Sequence, residues 1–399
     1  MFSSLKVREF RIFWFSMFVS LIGTWVQSMA QSWLVFKLTH SAFLLGLVGF
    51  LAYLPISLFS LPAGVFIDRA VKRDFLIVTQ AVFMLLAFLL AFLVHKELVA
   101  VWHILTIAVL SGIAMSIDAP TRQAMVVELA GKQHLFNAIV LNSAAFNSAR
   151  LIGPALAGVL IATIGMAGCF YVNAFSYIPV LLALFLIKPV PAPVKVKNNS
   201  FFLDMRETVE FIRKERFLAA ILSLAAMFSI FGAAYVILMP VFAQEILHSG
   251  ARGLAVLMSA NGAGALVGVL NLARLKHAAS NLAVLKFCVI MFFVSIMFFA
   301  ISVNFVFSVA MLFLVGFGGS SGMSIINTIL QMNVPDAYRG RIMGVFVMMF
   351  TGLMPFGNLL AGTMAHFIGA PLVVFLGALS SLVLYFFIAG KYFREAVIA

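Results

Sequence analysis

The sequence predicts an all-α membrane protein whose twelve transmembrane helices form two pseudo-symmetric six-helix bundles. Three observations predict it. The chain of 399 residues is 64% hydrophobic and 10% charged, too little polar material to cover a soluble protein of that size. Its apolar runs recur at lengths near 20 residues, enough to cross a hydrocarbon core of about 30 Å as a helix. Its bases fall almost entirely in the turns and ends that the layout puts on one side of the membrane.

Taken in order, the first-half runs lie near 12–36, 42–66, 75–94, 100–118, 138–162 and 168–187. The opening MFSSLKVREFRIFWF has bases before an apolar stretch but no small-residue cleavage site after it, so it reads as the first helix and not as a removed signal. The second-half runs lie near 217–243, 253–273, 282–303, 305–327, 342–364 and 370–390. Short turns join odd to even spans: KLTHS, HKELV and IGMAG in the first half, QEILHSGAR, VNF and HFIGA in the second.

This layout places 22 of the 26 bases on one side, 3 (Lys37, Lys96 and Arg252) on the other, and leaves Arg150 inside a span. Adding or removing a middle span would destroy that asymmetry. By the positive-inside rule both termini are cytoplasmic, and the protein is expected in the cytoplasmic (inner) membrane. The net charge of +13 is then topogenic, and no nucleic-acid partner is implied.

The segment KPVPAPVKVKNNSFFLDMRETVEFIRKER, residues 188–216, is the one long hydrophilic stretch. It starts Pro-rich, then shows helical periodicity from about Phe202 to Arg216 with Phe and Ile on one face. It divides the chain into a bundle over 1–187, a cytoplasmic linker with an amphipathic helix over 188–216, and a bundle over 217–399. Weak recurrence relates the bundles: GPALAG at 153–158 is echoed by PFGNLLAG at 355–362, and PTR at 120–122 by PDAYR at 335–339. Duplicated halves around a midplane site are a common transporter plan.

Function classes narrow quickly. Cys169 and Cys288 both lie in apolar stretches, the seven His are scattered, and no HExxH, GxSxG or phosphate-binding loop occurs. Neither an enzyme nor a metal or organic cofactor is expected. Small molecules and membrane lipid are the expected partners, and a monomer the expected state.

GVFIDRAVKRD, residues 64–74, crowds two acids and three bases between two apolar runs. Gly64 permits close helix approach, and Asp68, one turn later, needs a partner from elsewhere. Arg69, Lys72 and Arg73 can pair with carboxylates or headgroups at the cytoplasmic gate. These residues fit G-x-x-x-D-R-x-x-[RK]-[RK], which resembles the signature between spans two and three of the major facilitator superfamily. The equivalent GVLNLARLKH at 268–277 keeps Gly268 and bases but lacks the acid. DAPTRQAMVVELAGKQHLFNA (118–138), NSARLIGPALAG (147–158) and PDAYRGRIMG (335–344) are similar to the drug and siderophore exporter branch that includes enterobactin and macrolide exporters.

The resemblance covers essentially the whole chain. It implies the major facilitator fold and export of small amphipathic molecules by alternating access, driven by a proton gradient. A lysophospholipid flippase and a non-transporting receptor of the same fold are the alternatives. Gly153, Pro154 and Gly158 resemble the antiporter motif of span five; physically, they give a bendable, smooth-faced helix. Many drug exporters carry an Arg in span four where this chain has Ala108, so a proton role for that Arg does not transfer.

Polar residues inside spans complete the candidate site. Arg150 costs about 2.5–3.5 kcal/mol on insertion scales and should face protein or a wet cavity. Two roles stay open for it: a structural partner of carbonyls or of Asp118, or a coupling or anion-binding charge. Thr24, Gln27 and Gln31 share a face of span one, and Asn327 and Gln331 lie four apart on span ten. Asn142 and Asn147 accompany Arg150 on span five; Tyr235, Asn261 and Asn358 lie in spans seven, eight and eleven. In the resembled fold spans one, four, seven and ten line the cavity. No carboxylate is expected mid-span, which leaves Asp118, Asp68, a His such as His103, or the substrate itself to carry a proton.

Overall fold

The computed structural model describes residues 3–67, 71–188, 201–232, 234–274 and 281–392. Among the described residues there are helices and no strands. In the first half the spans are Arg8–Thr39, Ala42–Ile67, Lys72–His95 and Val101–Gly131, followed by the stretch Gln133–Leu186. That last stretch, 54 residues long, would measure about 80 Å as a single helix, far beyond one hydrocarbon core. It is two spans, broken at Gly165, where φ is 74° and ψ 179°. Gly131, with φ of 66°, makes the same break before it. Neither glycine has an atom within 4 Å of where a Cβ would sit. The left-handed backbone, not crowding, is what requires glycine at these two turns.

The second-half spans are Arg216–Ile246, Gly250–Arg274, Leu282–Ala300, Phe305–Asn333, Tyr338–Ile368 and Ala370–Tyr392. Spans seven and eleven are not uniform α-helices. Span seven ends in a π-turn at Phe242–Ile246, and span eleven carries one at Met348–Gly352 before Pro355. Span four is the main departure from the sequence reading, which ends it at 118. The helix runs on to Gly131 because the polar groups there find partners on neighbouring helices and need not leave the bundle.

Large apolar side chains cover the outside: Leu85, Phe185 and Phe387 are each more than 60% exposed. Such a surface suits lipid, and association between spans must then come from packing and polar contacts. Phe228, Phe292 and Phe293 form the aromatic centre of the second half, with Tyr235 edge-on to Phe292. The amphipathic helix Phe201–Lys214 docks on that half at the end bearing most of the bases. Phe211 stacks on Tyr338 at 4.5 Å, and Arg341 Nη1 meets Glu207 Oε2 at 2.9 Å.

The halves meet through glycines. Gly46 in span two faces Gly362 in span eleven, and Gly49 faces Asn358. Gly158 in span five faces Ala255 in span eight, and Gly262 in span eight lies against the backbone of Arg150 and Leu151. These pairs fall between the midplane and the base-poor end. The two copies of the recurring motif, ending in Gly158 and Gly362, therefore occupy corresponding places at the boundary between the halves.

Candidate functional site

Arg150 is 17 residues from the start of span five at Gln133 and 14 from Ile164, roughly 26 and 21 Å by helical rise. It therefore sits near the middle of the span. Its Nη2 donates to Asn261 Oδ1 of span eight at 2.5 Å. Asn261 Nδ2 donates onward to the Tyr235 hydroxyl of span seven at 3.0 Å and more weakly to the Leu312 carbonyl of span ten at 3.4 Å. The guanidinium lies 5.9 Å from the Trp25 ring of span one, and Phe146 stands edge-on to that ring. Tyr235 shares the Asn261 amide with the guanidinium, and Tyr53 of span two is partly exposed near the middle of its span. One charge from the first half is thus held by an amide from the second, inside an aromatic surround.

Local sequence explains the geometry. Gly153 leaves room for Trp25, whose Cβ and the Ile22 carbonyl would collide with any side chain there. Gly262, next to Asn261, lets span eight approach the Arg150 backbone. Pro154 is buried and the helix passes through it without a break. Gly158 carries the approach to Ala255 one turn later.

Asp118 belongs to a different network, so the structure does not bring it to Arg150. Its carboxylate accepts from Thr79 Oγ1 at 3.0 Å and Gln80 Nε2 at 2.7 Å, both on span three. Arg122 Nη1, one turn along the same helix, lies 3.6 Å from the other oxygen. Asp118 is 1% exposed. Because span four continues past it, it is a carboxylate inside a span, where the sequence reading expects none. His103 by contrast lies in the first turn of span four, its Nδ1 accepting from the Ala100 amide.

Of the predicted gate residues, Asp68 and Arg69 lie outside the described residues. Gly64 lies in the last turn of span two. Lys72 is buried and pairs with the Glu128 carboxylate of span four. Arg73 donates to Asp74 at 3.0 Å and to the Ile187 carbonyl at the end of span six at 3.3 Å. Both bases thus bind partners of their own half, tying the first turn of span three to spans four and six.

The remaining polar candidates have partners of their own or are only partly buried. Gln27 Oε1 accepts from Asn173 Nδ2 of span six at 2.7 Å, and Thr24 approaches Tyr177 at 3.5 Å while donating to the Ser20 carbonyl. Gln31 and Asn142 are half-buried, and Asn147 donates to the Ser143 carbonyl of its own helix. Gln331 donates to Asn327 at 2.6 Å on the exposed end of span ten. Asn358, 4% exposed, is wedged against Gly49 and Gly46. Asn173 is missing from the predicted set. Its signal was present in FYVNAFSY: an amide four residues before a tyrosine, both on one helical face.

The chain matches the transmembrane secretion effector family over residues 1–394, essentially its whole length. It belongs to that family of the major facilitator superfamily. This secretion-effector chain is 27% identical to the staphyloferrin A transporter of Staphylococcus aureus, with 90% of each protein aligned. It is 24% identical to the multidrug efflux pump Tap of Mycolicibacterium fortuitum, over 87% of each, and 23% identical to the enterobactin exporter of Shigella flexneri, over 84% of this chain and 80% of that one. Its fold superposes on a bacterial homologue of the lysosomal transporter Spinster with a TM-score of 0.70 at 12% identity, covering 97% of both chains. A peptide-bound POT family transporter gives a TM-score of 0.76, covering 96% of this chain and 95% of that one. Siderophore and drug export among the relatives does not favour the flippase alternative for this secretion-effector protein.

Proposed function

We propose that this protein is a secondary active exporter of small amphipathic molecules, drug-like or siderophore-like, and that it has no enzymatic step. It works by alternating access in the inner membrane, with both termini cytoplasmic and a proton gradient as driving force. The observation that carries this reading is the Arg150–Asn261–Tyr235 network, a charge-centred polar junction between the two halves near mid-span. A polar centre is costly in a merely structural bundle and useful in one that must bind a solute there. The glycine contacts at the base-poor end form the outer closure, and the ends bearing Lys72 and Arg73 move as rigid parts of their half. The cytoplasmic turn containing Gly64, Asp68 and Arg69 is the inner gate, and Asp118, buried beside Arg122, is the proton-accepting carboxylate. Thr24, Gln27, Gln31, Asn142, Asn147, Asn327 and Gln331 supply the polar wall.

The test is transport by purified protein in proteoliposomes with an imposed pH gradient, using a panel of drugs and siderophores. Gradient-dependent movement of at least one compound is expected, abolished by a protonophore. Movement indifferent to the gradient removes proton coupling, and no movement of any compound removes the exporter reading.

A further inference from the structure

We infer that Arg150 is the carboxylate-recognising residue of the transport site, and that its bond to Asn261 is the contact an anionic substrate displaces. The inference deepens the exporter reading and rests on it. It names the substrate class, an apolar-bodied carboxylate, and the step that links binding to movement.

The first ground is charge balance. Among the described residues no carboxylate pairs with Arg150; its partners are the Asn261 amide and the Trp25 ring, both neutral. The sequence offers no acid between Glu128 and Asp204 or between Glu245 and Asp336, so spans five, six, nine and ten, and all of span eight, have none to give. A guanidinium with five donors is then held near mid-span by far fewer acceptors than it can use. Arg122, on span four, has its acid one turn away in Asp118.

The second ground is shape. Trp25 lies against the charge with Phe146 edge-on behind it, and Tyr235 shares the Asn261 amide that holds the guanidinium. A planar fork against aromatic walls suits a carboxylate joined to an apolar or ring-bearing body, bound bidentately by the fork and stacked by the rings.

The third ground is position. Asn261 is followed by Gly262, which lies against the Arg150 carbonyl and the Leu151 Cα. The polar bond and a close backbone approach of spans five and eight occur at the same level. A carboxylate is a stronger acceptor for guanidinium than an amide oxygen. Substrate therefore competes directly with a bond that joins the halves, leaving the Ser57–Gly352 hydrogen bond and small-residue packing such as Gly158 on Ala255 as further restraints.

The test uses a matched pair of probes, radiolabelled 2-naphthoate and 2-naphthamide, alike in shape and different in charge. Equilibrium binding to the full-length protein in nanodiscs should favour the carboxylate by about 10- to 100-fold, the worth of a charge-assisted hydrogen bond. Arg150→Gln should remove the preference, and Arg150→Lys should keep part of it. Equal binding of the two probes by the wild type, binding of neither, or a preference that survives in Arg150→Gln overturns the assignment. Asn261→Ala covers the case in which the arginine variants do not fold. It should bind naphthoate about threefold or more tightly, since the internal competitor is gone; weakened binding overturns the displacement step. Spin labels at Val159 and Val256, both exposed beside the junction, should move apart with naphthoate and stay with naphthamide. Proteoliposome uptake separates the two readings. Carboxylate preference through Arg150 without transport of any compound upholds the site and removes the exporter; transport with no preference upholds the exporter and removes the site.

Discussion

Gly46 and Gly362 face each other across the boundary between the halves so closely that a Cβ on Gly46 would lie 2.8 Å from the Gly362 Cα. The first prediction follows from that contact. Gly362→Leu should hold spans two and eleven apart and prevent closure of the base-poor end. Overpacking of this kind costs about 1–3 kcal/mol, so the protein should insert but unfold at lower temperature. A cysteine at Tyr53 should become accessible to a water-soluble reagent from the outer side. Unchanged thermal stability and accessibility would show that the two glycines part freely.

A second prediction concerns Asp118 and Arg122. Asp118→Asn keeps an acceptor for Gln80 but leaves Arg122 without its charge partner. Thermal unfolding in detergent should show a loss of about 1–3 kcal/mol, and Asp118→Asn combined with Arg122→Gln should recover part of it. If the double variant is less stable than the single one by the full cost of each change, the two residues are not coupled.

Lys72 and Glu128 offer a charge-reversal test. Either Lys72→Glu or Glu128→Lys should lower expression and stability by placing like charges together at the start of span three and the end of span four. The double reversal should restore folding to near the wild-type level, since distance and burial are kept. Failure of the swap to rescue would mean that Lys72 packs chiefly through its aliphatic stem.

Topology supplies the fourth. Cysteines replacing Lys96 and Arg252 should react with a membrane-impermeant reagent in intact cells, because the base asymmetry puts both outside. A cysteine at Lys197 should stay unlabelled until the cells are broken. Labelling of Lys197 from outside would invert the proposed orientation.

Much of the architecture could be read from the sequence, because span length and base placement are imposed by the membrane itself. Eleven of the expected spans agree with the observed helices to within several residues. Span four did not, since the run DAPTR looks like a turn when its polar groups are counted alone. Thr79, Gln80 and Glu128's partner Lys72 come from span three, and no local pattern announces them. Arg150 was conspicuous as a lone charge, yet its partner lies 111 residues away, in the other half. The suggestion that it might reach Asp118 came from proximity in sequence, which a bundle of crossing helices does not preserve.

The docked helix Phe201–Lys214 has a mechanical consequence. Stacking of Phe211 on Tyr338 and the Glu207–Arg341 bridge make it cargo of the second half. The covalent tether between the halves is then only the thirteen peptide links from Lys188 to Phe201, which can reach roughly 45 Å at full extension. A leash of that length sets no stop on rocking over a few ångströms. Cutting it, for example with a protease site placed near Asn198, should leave two fragments that still copurify and still work as a pair.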